Sequence, residues 1–448
     1  MPKGSIFRIS VICIIFCVIF SCISGVYASA LTYNIDFDTS TAALYLVNLD
    51  TGIVAYEKNA QEKRSPASTT KIMTYIVATE MFGDVETSVV KVSGDVLELL
   101  DGTGSSLAGL QDGEKVTVLQ LLHCLMIQSG NDAAIILAHH LGEGNIDKFV
   151  EMMNEKAAEL GCENTHFSNP HGLYAIDHYT TAEDMFKIAK YALQLPHFTE
   201  ICGMTTSYIL GEDRPLITTN KMLDAARGGD YYYPYCRGIK TGWSGEESGY
   251  CLVSYAIKDG YTYLCVAFGG PSVDKDGNEI EENAAMIDSK KLYEWAFDSL
   301  ELKSVIDEQK PVCEVAVNNA WNKDTVLLVP ENGYTTLLPV NVESSSIDIK
   351  TNVPESVDTP IRAGDVIGTA TISYANQELT TVNLIATESV ERSAVLYYLQ
   401  VGKNILTSKW FVFSVTAVAV LFVAYIIMMI AYNSKKAKQR AVKNYRKF

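Results

Sequence analysis

Residues 64–74 read Arg64-Ser65-Pro66-Ala67-Ser68-Thr69-Thr70-Lys71-Ile72-Met73-Thr74, and the apolar run continues through Tyr75-Ile76-Val77-Ala78. Such a run predicts a buried helix that Ser68 opens. Residues three apart share one helical face, so Lys71 stands one turn behind the Ser68 hydroxyl. A serine hydroxyl attacks poorly until a base takes its proton, and a lysine stripped of water can be that base. The helix N-terminus adds partial positive charge where an oxyanion would form. Ser88-Val89-Val90-Lys91 has the same spacing. It lies in a β-branched run that predicts a strand, where residues i and i+3 point to opposite faces, so this second pair cannot cooperate.

Working outward, 42–56 alternates like a hairpin turning at Asn48-Leu49-Asp50-Thr51-Gly52. Downstream, the pattern predicts a helix over 118–128 that runs into Ser129-Gly130-Asn131, and a second helix leaves over 132–141. A polar triplet between two apolar helices can present side chains to a cleft. Helices follow over 146–160 and 182–193, the latter capped by Thr181 with Asp184 three residues on. Between them Asn169-Pro170-His171-Gly172-Leu173 is a turn. Ile239-Lys240-Thr241-Gly242-Trp243 precedes two strands, 248–257 and 261–268, joined at Lys258-Asp259-Gly260. A helix over 283–300 closes this region. Helices and strands mix without strict βαβ alternation, which indicates an α+β sheet covered by helices. After 303 the chain turns to short β-rich runs (312–317, 325–329, 334–338, 346–350 and 368–374), read as a small all-β domain over 304–390.

The two ends differ from everything between. Residues 1–30 combine Lys3 and Arg8, an apolar stretch and Ala28-Ser29-Ala30, the pattern of a secretory signal peptide. Residues 410–432 carry no charge, and at about 1.5 Å per residue they reach about 35 Å, enough to cross a hydrocarbon core of about 30 Å. A linker over 391–409 leads into that span. The tail, 433–448, holds Lys435, Lys436, Lys438, Arg440, Lys443, Arg446 and Lys447. The positive-inside rule therefore expects a single-pass cell-membrane protein with its tail in the cytoplasm and 31–409 outside. The whole chain has 36 basic and 53 acidic residues, and nine of the basic ones lie in these two ends, so the exported part is strongly acidic. Such a surface argues against nucleic acid as a partner. Seven cysteines remain there, an odd number with no zinc-like spacing.

Ser68-x-x-Lys71, Ser129-Gly130-Asn131 and Lys240-Thr241-Gly242 stand in the order found in class A β-lactamases and penicillin-binding proteins, with Gly130 where that set has Asp. The chain resembles the serine-type D-alanyl-D-alanine carboxypeptidases, the low-molecular-mass penicillin-binding proteins. The likeness is close over about residues 40–300, through Pro66–Lys71, Gln128–Ala133, the Asn169–Leu173 turn and Gly238–Gly242. It is looser around Ile361–Gly368. The resemblance implies a penicillin-binding-protein-like transpeptidase domain over 31–303, an antiparallel sheet covered by helices. The small all-β domain and the C-terminal transmembrane helix follow it.

It also implies the chemistry. Ser68 would attack the carbonyl between the last two D-alanines of a peptidoglycan stem peptide, with neutral Lys71 taking the proton. Ser129 would protonate the departing D-alanine, and Asn131 would orient Lys71 and the substrate amide. Lys240, Thr241, Gly242 and Trp243 would line the substrate subsite, with the N–H groups of Ser68 and Trp243 as the oxyanion hole. β-Lactams would acylate Ser68. No cofactor or metal is implied. Some members carry an arginine where this chain has Thr219, and Arg237 or Lys221 would have to substitute. His171 reads as a turn hydrogen-bonder, and His139-His140 lacks the spacing of a zinc peptidase. The competing readings are a β-lactamase, for which no deacylating acid is in view, and a catalytically silent wall-binding or scaffold protein.

Overall fold

The computed structural model describes residues 33–343 and 346–445, so the leader read over 1–30 lies outside them. Two compact units result. The first holds the described part of Met1–Lys303 together with Thr335–Glu343, and the second that of Ser304–Tyr334 and Ser344–Phe448.

The first unit is built on five antiparallel strands: β1 (Ala43–Asn48), β2 (Val54–Lys58), β3 (Cys236–Gly242), β4 (Tyr250–Lys258) and β5 (Tyr261–Gly270), in the order β2-β1-β5-β4-β3. The β4–β5 turn passes through Asp259 and Gly260, both at positive φ (52° and 85°), as a two-residue hairpin requires. Successive strand residues serve opposite faces. Val253, Leu264, Val266 and Phe268 enter one core, while Leu252, Tyr263, Cys265 and Ala267 enter the other.

The first core is shared chiefly with the longer helices α1 (Lys71–Phe82), α2 (Val118–Met126), α3 (Asn131–Leu141), α4 (Ile146–Glu159) and α5 (Ala182–Ala192). The second is closed by α6 (Ala284–Ser299) through Met286, Leu292, Tyr293 and Ala296. Every residue over 71–79 of α1 is buried. With its first nine residues buried on every side, α1 becomes the axis of its layer, and only its last turn, at Glu80 and Met81, meets water. Burying Ile72, Met73 and Ile76 stabilises the fold by roughly 1.5–3 kcal/mol per side chain. A capping box between Thr117 and Gln120 starts α2, and the Thr181 hydroxyl accepts from the Asp184 N–H to start α5.

The second unit is a six-stranded sheet of β6 (Cys313–Asn318), β7 (Thr325–Pro330), β8 (Ile347–Asn352), β9 (Ser356–Asp358), β10 (Val366–Tyr374) and β11 (Gln377–Ala386), in the order β8-β10-β11-β7-β6-β9. Val315, Val326, Leu328, Ile361 and Leu384 form its core. Two features differ from the sequence reading. The run read over 334–338 does not join this sheet, because Thr335–Glu343 belongs with the first unit. The sequence reading also missed β9 and β11. Helix α7 (Ala394–Thr407), capped by Ser393, occupies the segment read as a linker. Helix α8 (Lys409–Tyr445) contains the uncharged span, and Lys409–Lys438 is long and apolar enough to cross a membrane. All seven described cysteines are free thiols, six of them buried.

Candidate active site

Ser68 sits in a 3-10 turn, Ala67–Thr70, that passes straight into α1. The Lys71 Nζ donates to Ser68 Oγ at 2.9 Å, the contact that the three-residue spacing predicts. Its second bond goes to the His171 carbonyl at 2.7 Å. That carbonyl is held by the 169–173 turn. Asn169 Oδ1 accepts from the Gly172 N–H at 2.7 Å, Asn169 Nδ2 donates to the Leu173 carbonyl at 2.9 Å, and Thr74 in α1 donates to the Pro170 carbonyl at 2.5 Å. The turn, rather than Asn131, thus orients Lys71 in this structure. The His171 ring accepts from the Leu173 N–H, and burial lowers its pKa to about 3, so it stays neutral and structural.

Gly172 adopts φ +88°, and a Cβ there would lie 1.9 Å from the Ala67 carbonyl oxygen and 2.9 Å from the Ser68 nitrogen. Only glycine lets this turn press against the nucleophile segment. Gly242 does the same from β3, where a Cβ would approach the Pro66 carbonyl at 3.0 Å. The sequence reading gave Gly242 to substrate. The structure gives it this close packing as well as a place in the cleft lining.

Lys71 is fully buried, and its pKa lies well below an ordinary lysine's. Burial is the main cause, the charge of Lys240 adds to it, and the Asp132 carboxylate opposes it. Lys240 is itself 1% exposed, and burial lowers its pKa to about 7. Its ammonium donates to the Thr241 carbonyl at 3.1 Å.

Ser129 occupies the link between α2 and α3 at φ +60°, and Asn131 opens α3. Asp132, next along, was not singled out from the sequence. Its carboxylate accepts from the consecutive N–H groups of Ala108, Gly109 and Leu110 at 2.9–3.2 Å, an anion-binding nest filled by a side chain. The preceding loop residues, Thr103 to Ser106, line the cleft, and the Asn131 N–H bonds the Ser106 carbonyl at 2.8 Å. A buried acid thus fixes one wall. Nothing but its place beside the triplet could have marked it in the sequence.

The cleft measures about 750 Å³, and Ser68, Ser129, Asn131, Thr241, Gly242 and Trp243 all line it. Lys71 and Lys240 are buried beside it rather than in its lining. Thr241 and Thr219 join hydroxyls at 2.5 Å. Of the two candidate replacement cations, Lys221 lines the cleft, whereas Arg237 donates to the nearby carbonyls of Pro234 and Cys236. Trp243 is 56% exposed on the rim. The decoy Ser88 and Lys91 lie elsewhere, at a short strand (Val89–Lys91) whose lysine faces solvent. A hydroxyl in contact with a dry amine of lowered pKa, beside further hydroxyls and a second buried lysine, has the chemistry to attack a carbonyl and to hold an anionic substrate end.

The chain matches the D-alanyl-D-alanine carboxypeptidase family over residues 31–272 and the penicillin-binding protein 5 C-terminal domain over 300–392. It is 31% identical over 360 residues to the D-alanyl-D-alanine carboxypeptidase DacF of Bacillus subtilis, covering 79% of this chain and 87% of that one. DacA of Escherichia coli, a protein of the same description, is 30% identical over 342 residues, 72% of this chain and 77% of its own. Among solved structures, penicillin binding protein 5 from Haemophilus influenzae shares the fold with a TM-score of 0.59 at 24% identity. That likeness spans 80% of this chain and 100% of that one.

Proposed function

The chain belongs to the serine D-alanyl-D-alanine carboxypeptidase family, and from that premise we propose a residue-by-residue account of how it removes the terminal D-alanine from peptidoglycan stem peptides. Ser68 is the nucleophile. Its Oγ attacks the carbonyl between the last two D-alanines while Lys71 takes the proton. The observation that carries this reading is the 2.9 Å contact between Lys71 Nζ and Ser68 Oγ, made by a lysine whose pKa burial lowers well below the ordinary value. The developing oxyanion lies against the N–H groups of Ser68 and Trp243, where loss of one such donor typically costs about 2.7–4 kcal/mol. Ser129 passes a proton to the departing amine, and Asn131 takes the substrate amide. Lys240 and Thr241 hold the terminal carboxylate, and Gly242 lets the strand come close. Water then hydrolyses the ester and restores Ser68. A β-lactam acylates the same oxygen.

Helix α8 anchors the protein in the cell membrane. With its basic tail in the cytoplasm, the catalytic unit works on the outer side, exported by the leader over 1–30. The test is full-length protein in detergent, incubated with a stem pentapeptide and assayed for free D-alanine and for labelling by fluorescent penicillin. Ser68→Ala abolishes both and Ser88→Ala abolishes neither. Labelling that survives Ser68→Ala would overturn the assignment.

A further inference from the structure

A second cavity, of about 390 Å³, opens in the first unit between residues 62–65, the stretch 174–179 and Glu247. Its volume falls in the range of small-molecule sites, about 300–1,000 Å³. One wall leads directly into the nucleophile turn. Arg64 and Thr180 exchange backbone hydrogen bonds at 2.8 and 2.9 Å, and the His178 ring meets the hydroxyl of Thr70, the residue before Lys71, at 2.8 Å. Two polar atoms of this wall have no partner among the described residues. One is the hydroxyl of Ser65, a residue only 8% exposed, and the other is the buried Nε of Arg64. A buried donor left unpaired is costly, so the wall is built for a ligand that hydrogen-bonds to it.

The rest of the lining narrows the kind of ligand. Lys63 and Arg64 are balanced by Glu62 and Glu247, which leaves no pole for a strongly charged molecule. Tyr174 is 49% exposed and Ile176 92%, and the Lys63 ammonium lies 4.3 Å from the centre of the Tyr179 ring. Donors, acceptors and an open aromatic ring together suit a neutral ligand with hydroxyls on its edge and C–H groups on its face, which is a sugar. The course of the substrate says which sugar. Along the chain, Thr241 takes the carboxylate and the Trp243 N–H the scissile carbonyl. Ser244 and Gly245 still line the cleft, and Glu247 lines the second cavity. On the facing wall Leu173 lines the cleft and Tyr174 the second cavity. The two therefore adjoin on the acyl side of the scissile bond, where the stem runs back to its glycan strand. Ser65 is three residues from Ser68, at most about 11 Å between Cα atoms, and the four stem residues behind the bond reach about 13–14 Å when extended.

We propose that this cavity binds an N-acetylated amino sugar of the glycan strand that carries the stem, so that the enzyme prefers stems still attached to glycan over free peptide. The inference rests on the carboxypeptidase reading above, and the experiment separates the two. Full-length enzyme in detergent is given the free stem pentapeptide, or the same pentapeptide on an N-acetylglucosaminyl-N-acetylmuramyl disaccharide, and released D-alanine is measured. The disaccharide form has kcat/KM about tenfold or more above the free peptide, chiefly through a lower KM. Tyr174→Ala and Glu247→Gln, both at exposed positions, each lower the ratio of the two kcat/KM values by about threefold or more. Equal kcat/KM for both substrates overturns the inference and leaves the carboxypeptidase reading intact. So does a preference that survives both variants, because the sugar then sits elsewhere, and so do variants that slow both substrates alike. Folded protein that releases D-alanine from neither substrate removes both.

Discussion

Lys71 and Lys240 are both buried, yet the proposed mechanism needs them in opposite protonation states, one to accept a proton and the other to hold a carboxylate. Burial lowers both, and the charge on Lys240 pushes Lys71 lower still. The sign of the pH dependence follows. Because kcat/KM reports the free enzyme, it falls on the acid side as Lys71 gains a proton. On the alkaline side it falls as Lys240 loses its charge, with a midpoint near its pKa of about 7. A stem peptide capped as a C-terminal amide offers Lys240 no carboxylate to hold, so its kcat/KM is low throughout and lacks the alkaline fall. Profiles of the two substrates measured side by side check this; an identical alkaline limb in both would refute the role given to Lys240. At this scale the polar clusters were readable because each breaks an apolar run with the chemistry a serine nucleophile needs. The His171 carbonyl was not, since a backbone oxygen leaves no mark in the choice of side chain.

Among the elements, the 169–173 turn and the 103–110 loop are the two walls whose placement depends on single residues. Gly172→Ala puts a methyl group inside the Ala67 carbonyl contact at a positive φ. The turn and the Ser68 segment must then separate, and penicillin acylation drops by at least about tenfold with destabilisation of roughly 1–3 kcal/mol. Acylation rate and thermal midpoint measure both effects. Asp132→Ala leaves three buried or half-buried N–H groups without their acceptor, each worth about 1–3 kcal/mol. The expected result is faster hydrogen exchange at Ala108, Gly109 and Leu110 and a raised KM for the stem peptide. Helix α1 was legible because the run from Ile72 to Ala78 is almost wholly apolar and follows directly on the Ser68 turn. Strand β11 was not: Gln377, Glu378, Thr380, Thr381 and Asn383 break the apolar-polar alternation, and its turn from β10 runs through Ala375 and Asn376 at φ +50° and +65° without the glycine that usually announces such a turn.

For the whole molecule, the change of texture after 303 was readable as a second, β-rich unit. The return of Thr335–Glu343 to the first unit was not, because a short strand looks the same whichever sheet it joins. A chain ended after residue 392 lacks α7 and α8. It should stay in solution without detergent and release D-alanine from a free pentapeptide at a rate within about twofold of the intact enzyme, since nothing in the cleft lies beyond Met286. The intact chain should remain with the membrane after an alkaline carbonate wash, and fractionation with immunoblotting distinguishes the two. The thiols also differ in what can reach them. Cys162, Cys251 and Cys265 have pKa values raised to about 12 by burial, so at neutral pH the reactive thiolate is essentially missing from them. Because the described residues are joined by no S–S bond, packing alone holds these thiols in place, and the six buried ones are screened from modifying reagents while half-buried Cys313 is the one left within their reach.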